Sequence, residues 1–397
     1  MKEYQINGYV DQRFEKVREA FQENFDKRDE LGAACSVYID NEKVVDLWGG
    51  FSDIKKINTW GENTKTLVFS STKGLSSLAF ATLHSKGLLD FNEKVSTYWP
   101  EFAQNGKGNI TVRQLLAHEA GLMVIDKLIS LKTLRDKEKL ADILAEQKPH
   151  VKAIGRKAYH TWTISLYQSE LARRIDPLGR SIGTLFQDEI AGQLEAEFYI
   201  GIPSNIKDEE IAEMMPVDPV NTIMFKANEI PLKLLLNFLN PFSFASRSFI
   251  NPPLVMSPQL LNARKVKNLE IGSANGIGTA RAMARIYSEF ASGGAQLGIN
   301  ENTIKELEQF PDNKNNGKED MVLKENLIYS LGLEKPSSFF NFGSNKRAYG
   351  HQGAGGSAAF ADPEYKLGFA YNMNKMGTNI ANDPREKALR DAVYSCL

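Results

Sequence analysis

β-prone segments lie near both ends of this chain, and helical periodicity fills the part between them. Short runs rich in β-branched and aromatic residues, separated by Gly, Asp-Asn or Asp-Pro, are typical of hairpins and antiparallel meanders. The runs with this pattern are 33–39, 43–48, 347–351, 357–362 and 367–374. This layout predicts one antiparallel sheet closed by both termini, with the helical middle inserted as a second lobe.

Two further patterns predict helices that bracket this sheet. Apolar residues recur every three or four positions from Val10 to Phe25, which predicts an amphipathic helix with Asp11 as its cap. Asp383, followed by Pro384, predicts the start of a last helix, because proline is favoured at the first helical position. We therefore expect an α/β (α+β) fold in which helices at the N and C termini flank the antiparallel sheet.

The expected domain boundaries lie where these patterns change. Residues 1–66 and 326–397 are expected to form the sheet lobe, and residues 67–325 the mainly helical lobe. Within the helical lobe, the irregular segment 204–265 combines many prolines with large apolar residues, so we expect it to form a wall of the substrate pocket. Its candidate pocket residues are Met214, Met215, Met224, Phe225, Leu234, Leu235 and Phe238. Packing in the core is an equally compatible role for most of these side chains.

Charge and composition exclude several classes of partner. The 48 basic and 49 acidic residues give a net charge of −1, so we expect no nucleic-acid partner. No apolar run reaches the ~18 residues that a membrane span needs. The first residues lack the layout of a signal peptide, and the chain has only two cysteines, so we expect a cytoplasmic protein. Composition leaves the oligomeric state open.

A serine and a lysine three residues apart, Ser70 and Lys73, follow an apolar run. If a helix begins there, both side chains project from one face. A lysine can accept the proton of a serine hydroxyl when burial lowers its pKa, so the pair has the arrangement of a nucleophile and its base. The same spacing recurs at Ser204 and Lys207, but in a polar stretch where we expect ordinary exposed side chains.

Two more segments could complete a catalytic site. Tyr159 precedes a predicted helix, and a tyrosine near a lysine can act as a base and later as an acid. The stretch 350–357 contains four glycines, so its backbone can approach a ligand closely and offer N–H groups to an oxyanion. The alternatives are a packing role for Tyr159 and a plain turn at the glycines. We interpret Ser357 as structural, because no helix follows it.

The sequence offers no pattern for a metal or a cofactor. The five histidines include no H-E-x-x-H motif, and the glycine-rich runs match neither dinucleotide-binding nor phosphate-loop spacings. We interpret His118 as a buried hydrogen-bonding residue and the stretch 273–275, Ser-Ala-Asn, as a loop. We therefore expect a site that works with neither a metal nor a cofactor.

Four motifs occur in a characteristic order along nearly the whole chain. They are Ser70-Ser71-Thr72-Lys73, then Ile110 to His118 followed by Gly121-Leu122, then Tyr159-His160, then Gly350-His351-Gln352-Gly353 with Phe360-Ala361-Asp362-Pro363. Together they resemble the β-lactamase-related serine hydrolases, most closely the cytoplasmic β-lactamase-type carboxylesterases, which are relatives of class C β-lactamases and D,D-peptidases. The resemblance implies a β-lactamase/transpeptidase-like fold with the site between its two lobes.

The same resemblance implies a role for each matched residue. Ser70 would be the acylated nucleophile, and Lys73 and Tyr159 would move its proton, with either of them as the acceptor. The backbone N–H groups of Ser70 and Ala354 would form the oxyanion hole.

The residues expected to bind substrate depart from the family pattern in two places. Thr161 stands where the family's Tyr-x-Asn motif has asparagine, and His351 stands where β-lactamases have the lysine of Lys-Thr-Gly. Gly353 keeps the glycine of that second motif. The resemblance implies that Thr161 removes an amide that binds the lactam side chain, and that His351 weakens the fixed positive charge expected to hold a substrate carboxylate. Both departures argue against efficient β-lactam hydrolysis and favour neutral esters.

We therefore expect a serine hydrolase, a carboxylesterase that cleaves short- to medium-chain carboxylic esters through an acyl-enzyme on Ser70. Its partner would be a small-molecule ester. A D-amino-acid peptidase or amidase and a weak β-lactamase are the alternatives of the same fold. A catalytically idle scaffold is the alternative of another class, but a scaffold would be expected to have lost Ser70 or Lys73.

Overall fold

The computed structural model describes residues 4–217, 232–253, 258–311 and 318–397. The strands in these ranges are β1 Ile6–Val10, β2 Gly32–Ile39, β3 Glu42–Gly50, β4 Thr66–Leu67, β5 Phe198–Ile200, β6 Gly276–Gly278, β7 Tyr329–Ser330, β8 Leu333–Glu334, β9 Tyr349–Gln352, β10 Ala358–Asp362 and β11 Leu367–Met373. The α-helices are α1 Glu15–Lys27, α2 Ser71–Ser85, α3 Val95–Tyr98, α4 Val112–Leu116, α5 Leu131–Arg135, α6 Lys137–Glu146, α7 Thr163–Ile175, α8 Ile182–Phe186, α9 Leu232–Leu239, α10 Phe244–Ile250, α11 Pro258–Asn262, α12 Arg264–Lys267, α13 Ala280–Ala291, α14 Glu301–Glu308 and α15 Pro384–Tyr394. Among the described residues, no helix has both the length and the apolar character that crossing a membrane requires.

The main sheet joins strands from the two ends of the chain. Its order is β1-β3-β2-β11-β10-β9-β8-β7, and every pairing is antiparallel. In its middle, Cys35 of β2 lies opposite Leu47 of β3 on one side and opposite Tyr371 of β11 on the other. The predicted antiparallel sheet closed by both termini is confirmed.

The first strand is a correction to the sequence analysis. The periodic run from Val10 was predicted to be helical throughout, but Val10 ends β1 and pairs with Val45 of β3. The Asp11 carboxylate then accepts a hydrogen bond from the backbone N–H of Arg13 in a short 3₁₀ turn, and α1 begins at Glu15. The edge of β3 that does not face β2 supplies backbone hydrogen bonds to β1. The local periodicity of the sequence does not reveal such long-range bonds.

The two faces of the sheet carry side chains of different size, because successive residues of a strand point to opposite faces. One face is covered by α1 and α15, where Val17 and Leu389 share an apolar core with Phe360 and Phe369. On the other face the strands present small residues to α13. A Cβ added at Gly368 would lie 2.0 Å from the backbone oxygen of Ala284, so the glycine is what lets this helix approach.

Helix α2 lies between the sheet and the other helices and is buried along nearly its whole length. A second, three-stranded sheet with the order β4-β6-β5 closes the region around its first turn. Because β4 pairs with β6, the residues just before Ser70 lie against the residues just after Ser273. The lobe boundaries expected after residues 66 and 325 stay a prediction.

Candidate active site

Ser70 occupies the N-cap position of α2, at the end of a tight turn. Phe69, the residue before it, has a φ of 47°, which is unusual for an aromatic residue and is found mainly where tertiary contacts enforce it. Here the Thr72 hydroxyl donates a 2.5 Å hydrogen bond to the Phe69 carbonyl and accepts one of 2.9 Å from the N–H of Gly276. These contacts hold the serine hydroxyl at the start of a buried helix, facing a cavity.

Lys73 lies one turn further along α2, with its amine directed at Ser70. Its Nζ is 3.1 Å from Ser70 Oγ and donates a 2.8 Å hydrogen bond to the Ser273 carbonyl. It also lies 4.7 Å from the centre of the Tyr159 ring. The side chain is 1% exposed, and this burial lowers the Lys73 pKa well below its ordinary value, against a smaller opposing effect of the Glu334 carboxylate. Burial therefore favours the neutral amine, the form that can accept a proton.

Tyr159 completes a three-residue group around the same oxygen. Its hydroxyl lies 3.0 Å from Ser70 Oγ and donates to it. Burial raises the pKa of the Tyr159 phenol, and the hydrogen bond to Ser70 opposes this only in part. The phenol therefore keeps its proton, while the neighbouring lysine is the group whose basic form burial favours.

The glycine-rich turn is tied to the residues that precede the nucleophile. The Ser357 hydroxyl donates a 2.7 Å hydrogen bond to the Val68 carbonyl and lies 3.1 Å from the Ser71 hydroxyl. The N–H of Gly353 in turn donates to the Ser357 carbonyl at 2.7 Å. Ser357 is thus a connecting residue, in agreement with its structural interpretation. The turn places Ala354 in the wall of the cavity that Ser70 also borders.

We expect Gly353→Ala to destabilise the protein by about 1–3 kcal/mol, the cost of inserting a methyl group into a filled space. The added Cβ would lie 2.3 Å from the Val68 carbonyl oxygen and 2.4 Å from Ser357 Oγ. The matched control is Gly61→Ala, since the nearest atom to a Cβ there is 3.6 Å away. Chemical denaturation would measure both variants, and equal midpoints for the two would contradict the close packing described.

The remaining predicted substrate-binding residues also border this cavity. The His351 ring nitrogen Nδ1 lies 2.6 Å from the Gln352 carbonyl oxygen. Burial lowers the His351 pKa to about 3, so the imidazole is neutral. Thr161 is buried and its hydroxyl lies 3.3 Å from that of Ser248 on α10. Neither side chain brings a positive charge to the cavity.

The cavity has a volume of about 290 Å³ and a largely apolar wall. Its apolar wall residues are Val217, Phe238, Phe249, Leu323, Phe339, Met376 and Ile380. Of the predicted pocket set, Phe238 is the one described side chain in this wall, and Met215 does not border the cavity. Met214 is buried in the core, and its sulfur contacts the Thr66 hydroxyl. Met224 and Phe225 lie outside the described residues, as do the side chains of Leu234 and Leu235.

Sequence reasoning missed two groups at this site. The stretch 273–275 is a loop, as predicted, but the Ser273 carbonyl holds the Lys73 amine. The Ser-x-Asn spacing of residues 273–275 was the sequence feature that could have pointed to a place in the site. The second group is Glu334, a buried carboxylate in the cavity wall that belongs to no recognisable motif.

Ser204 and Lys207 are exposed, as expected of the second S-x-x-K pair. No cluster of metal-ligating side chains occurs within the described ranges.

Comparisons with known proteins agree with this architecture. The family model described as Beta-lactamase matches residues 17–394. The esterase/beta-lactamase LipL of Mycobacterium tuberculosis is 31% identical over 373 residues, which are 94% of this chain and 83% of the relative. A crystal structure of a family VIII carboxylesterase matches with a TM-score of 0.86 at 34% identity, over 99% of this chain and 100% of that one.

A penicillin-binding protein homologue from Caulobacter crescentus gives a TM-score of 0.85 at 33% identity, over 99% of this chain and all of that one. The expected β-lactamase/transpeptidase-like fold is therefore confirmed. Since the family match spans most of the chain, this protein belongs to the beta-lactamase family.

Proposed function

We propose that this protein is a serine carboxylesterase that hydrolyses small carboxylic esters through an acyl-enzyme on Ser70. The observation that carries the proposal is the convergence of Lys73 Nζ and the Tyr159 hydroxyl on Ser70 Oγ, at 3.1 and 3.0 Å, beside an apolar cavity. An esterase/beta-lactamase and a family VIII carboxylesterase among the similar proteins support the same reaction class.

In the acylation step, Ser70 Oγ forms a bond to the ester carbonyl carbon while its proton moves to the neutral amine of Lys73. The carbonyl oxygen becomes an oxyanion, for which the N–H groups of Ser70 and Ala354 are the proposed donors. When the carbon–oxygen bond to the alcohol breaks, the Lys73–Tyr159 pair returns the proton to the departing oxygen. Lys73 is thus the base and Tyr159 the donor that keeps Ser70 Oγ oriented.

Deacylation repeats these steps with water as the nucleophile. Water bonds to the acyl carbon and gives a proton to the same pair, and the bond to Ser70 Oγ then breaks as the serine regains its proton. Ester and water are consumed, and acid and alcohol are released. Ser70, Lys73 and Tyr159 carry out every proton transfer in this scheme.

The cavity wall supports neutral, short- to medium-chain esters as the substrate class. Phe238, Phe249 and Phe339 provide apolar surface for an acyl chain. No lysine or arginine borders the cavity in the described part of the chain, so a substrate carboxylate finds no fixed positive charge there. His351 and Thr161 are the proposed polar contacts to the substrate. Gly353, which has no side chain, would let the backbone approach the substrate closely.

A fluorophosphonate probe tests the proposal on the unmodified protein. We expect one covalent adduct per chain in the intact mass spectrum, and peptide mapping should locate it on Ser70, with Ser204 unlabelled. Labelling should slow when 4-nitrophenyl butyrate competes for the site. A folded protein that forms no adduct, or forms one elsewhere, would contradict the proposed nucleophile.

A further inference from the structure

Glu334 lies at the end of β8 and borders the same cavity as Ser70. Its Oε2 accepts a 3.0 Å hydrogen bond from the backbone N–H of Gln352 and lies 3.8 Å from His351 Nδ1. The side chain is only 4% exposed. Burial raises the Glu334 pKa to about 7, and the hydrogen bonds from Gln352 and the charge of Lys73 oppose this increase. The carboxylate is therefore held in place beside the reaction site.

Glu334 has no cationic counterpart in the cavity wall. Neither lysine nor arginine borders the cavity within the described ranges, and Glu334 is the one carboxylic acid there. His351 is neutral, because burial holds its pKa near 3. Lys73 is buried, and its neutral form is favoured. Among the described residues that border the cavity, an ionised Glu334 is thus the charged group that a bound substrate meets.

We propose that Glu334 is a specificity-determining residue that selects substrates by charge, so that the enzyme accepts neutral and cationic esters and rejects esters that carry a carboxylate. The inference rests on the proposed esterase function and specifies its substrate class. A buried negative charge beside a largely apolar wall repels a second one strongly, because the low local polarity screens the pair only weakly.

Other titrating groups face Glu334 and must be separated from its effect. Tyr159, Tyr287 of α13 and Tyr329 of β7 are buried phenols whose pKa values burial raises, with Glu334 adding to the increase, so they stay protonated near neutral pH. Lys73 on α2 does respond to Glu334. A protonated Lys73, 3.1 Å from Ser70 Oγ, would attract the anionic ester and so would also change a ratio of two charged substrates. A pH dependence of the ratio is therefore assigned to Glu334 only if Glu334→Gln abolishes it.

Three 4-nitrophenyl esters with six-carbon acyl chains test the inference: the neutral hexanoate, the cationic 6-(trimethylammonio)hexanoate and the anionic adipate monoester. The quantity measured is the kcat/KM of the cationic ester divided by that of the anionic one. We expect Glu334→Gln, which removes the charge and keeps an oxygen for the Gln352 N–H, to lower this ratio at pH 8 by about tenfold or more.

The wild-type ratio should also rise between pH 6 and pH 8, because Glu334 loses its proton in that window, whereas the ratio for Glu334→Gln should stay level. If Glu334→Gln does not fold, Glu334→Met removes the same charge and gives the same comparison with the wild type. The matched control is Glu289→Gln. Glu289 is also buried, accepts hydrogen bonds from Asn41 and Gln296, and lies outside this cavity, so its ratio should equal that of the wild type.

The outcomes separate the inference from the function on which it rests. Turnover of the hexanoate with equal ratios in wild type and Glu334→Gln, or a wild-type ratio that does not change between pH 6 and 8, would overturn charge selection and leave the esterase standing. If the wild type hydrolyses none of the three esters, the proposed function is overturned and the inference with it.

Discussion

Ser70→Ala is expected to lower kcat for 4-nitrophenyl butyrate by about 10⁴- to 10⁶-fold, the scale on which loss of a nucleophile acts in enzymes with an acyl-enzyme intermediate. The variant keeps Lys73, Tyr159 and the cavity, but no oxygen remains to bond to the acyl carbon. The circular dichroism spectrum should be unchanged, because the substitution removes one oxygen and adds no atoms. Stopped-flow measurement should also show that any burst of 4-nitrophenol has disappeared.

Ser204→Ala is the matched control for this variant, because Ser204 has the same spacing to a lysine and is exposed. Its turnover should equal that of the wild type. If Ser70→Ala retained more than about one hundredth of the wild-type kcat, which far exceeds the expected residual rate, another residue would have to be the nucleophile.

Lys73→Met is expected to have two opposite effects, a loss of activity and a gain in stability. Without a base, Ser70 keeps its proton, and kcat/KM for neutral esters should fall by about 10²- to 10⁴-fold. The gain in stability follows from the lowered pKa: near neutral pH the unfolded chain binds a proton on Lys73 more readily than the folded chain does. The lowered pKa therefore costs folding free energy in this pH range, and methionine removes that cost.

The sign of this linkage can be checked by thermal unfolding at two pH values. Between the lowered pKa of folded Lys73 and its ordinary value of 10.5, the wild type gains stability as the pH rises. The stability advantage of Lys73→Met over the wild type should therefore shrink from pH 7 to pH 10. Lys207→Met, at an exposed position, should change neither activity nor this difference. An advantage that is the same at both pH values would contradict a neutral Lys73.

Several parts of the fold were predictable from the sequence because short-range chemistry decides them. The β2–β3 hairpin follows from two β-prone runs around Asp40 and Asn41, both of which adopt positive φ. The capping box at Thr111 and the Asp383 cap of α15 follow from side chains that bond the first N–H groups of a helix. In each case a few neighbouring residues contain all the groups involved.

The candidate site was partly predictable for the same reason. Ser70 and Lys73 belong to one helical turn, so their closeness follows from their spacing. Tyr159 and the glycine-rich stretch 350–357 were candidates from their residue types, but only the resemblance of ordered motifs assigned roles beside Ser70 to Tyr159, His351 and Ala354, because nothing local connects them to it. Their assigned roles stay predictions, although the structure brings all three to the cavity that Ser70 borders.

Neighbouring residues are enough to place the local elements: the start of α2, the turn of the hairpin and the start of the last helix. Contacts between distant parts of the chain are needed to show that Val10 belongs to a strand, that the Ser273 carbonyl holds Lys73 and that Glu334 borders the cavity. Each of these features depends on partners far away in the chain, which no local pattern contains. The direction of the Lys73 and Tyr159 pKa changes also comes from burial, which exists only once the whole chain has packed.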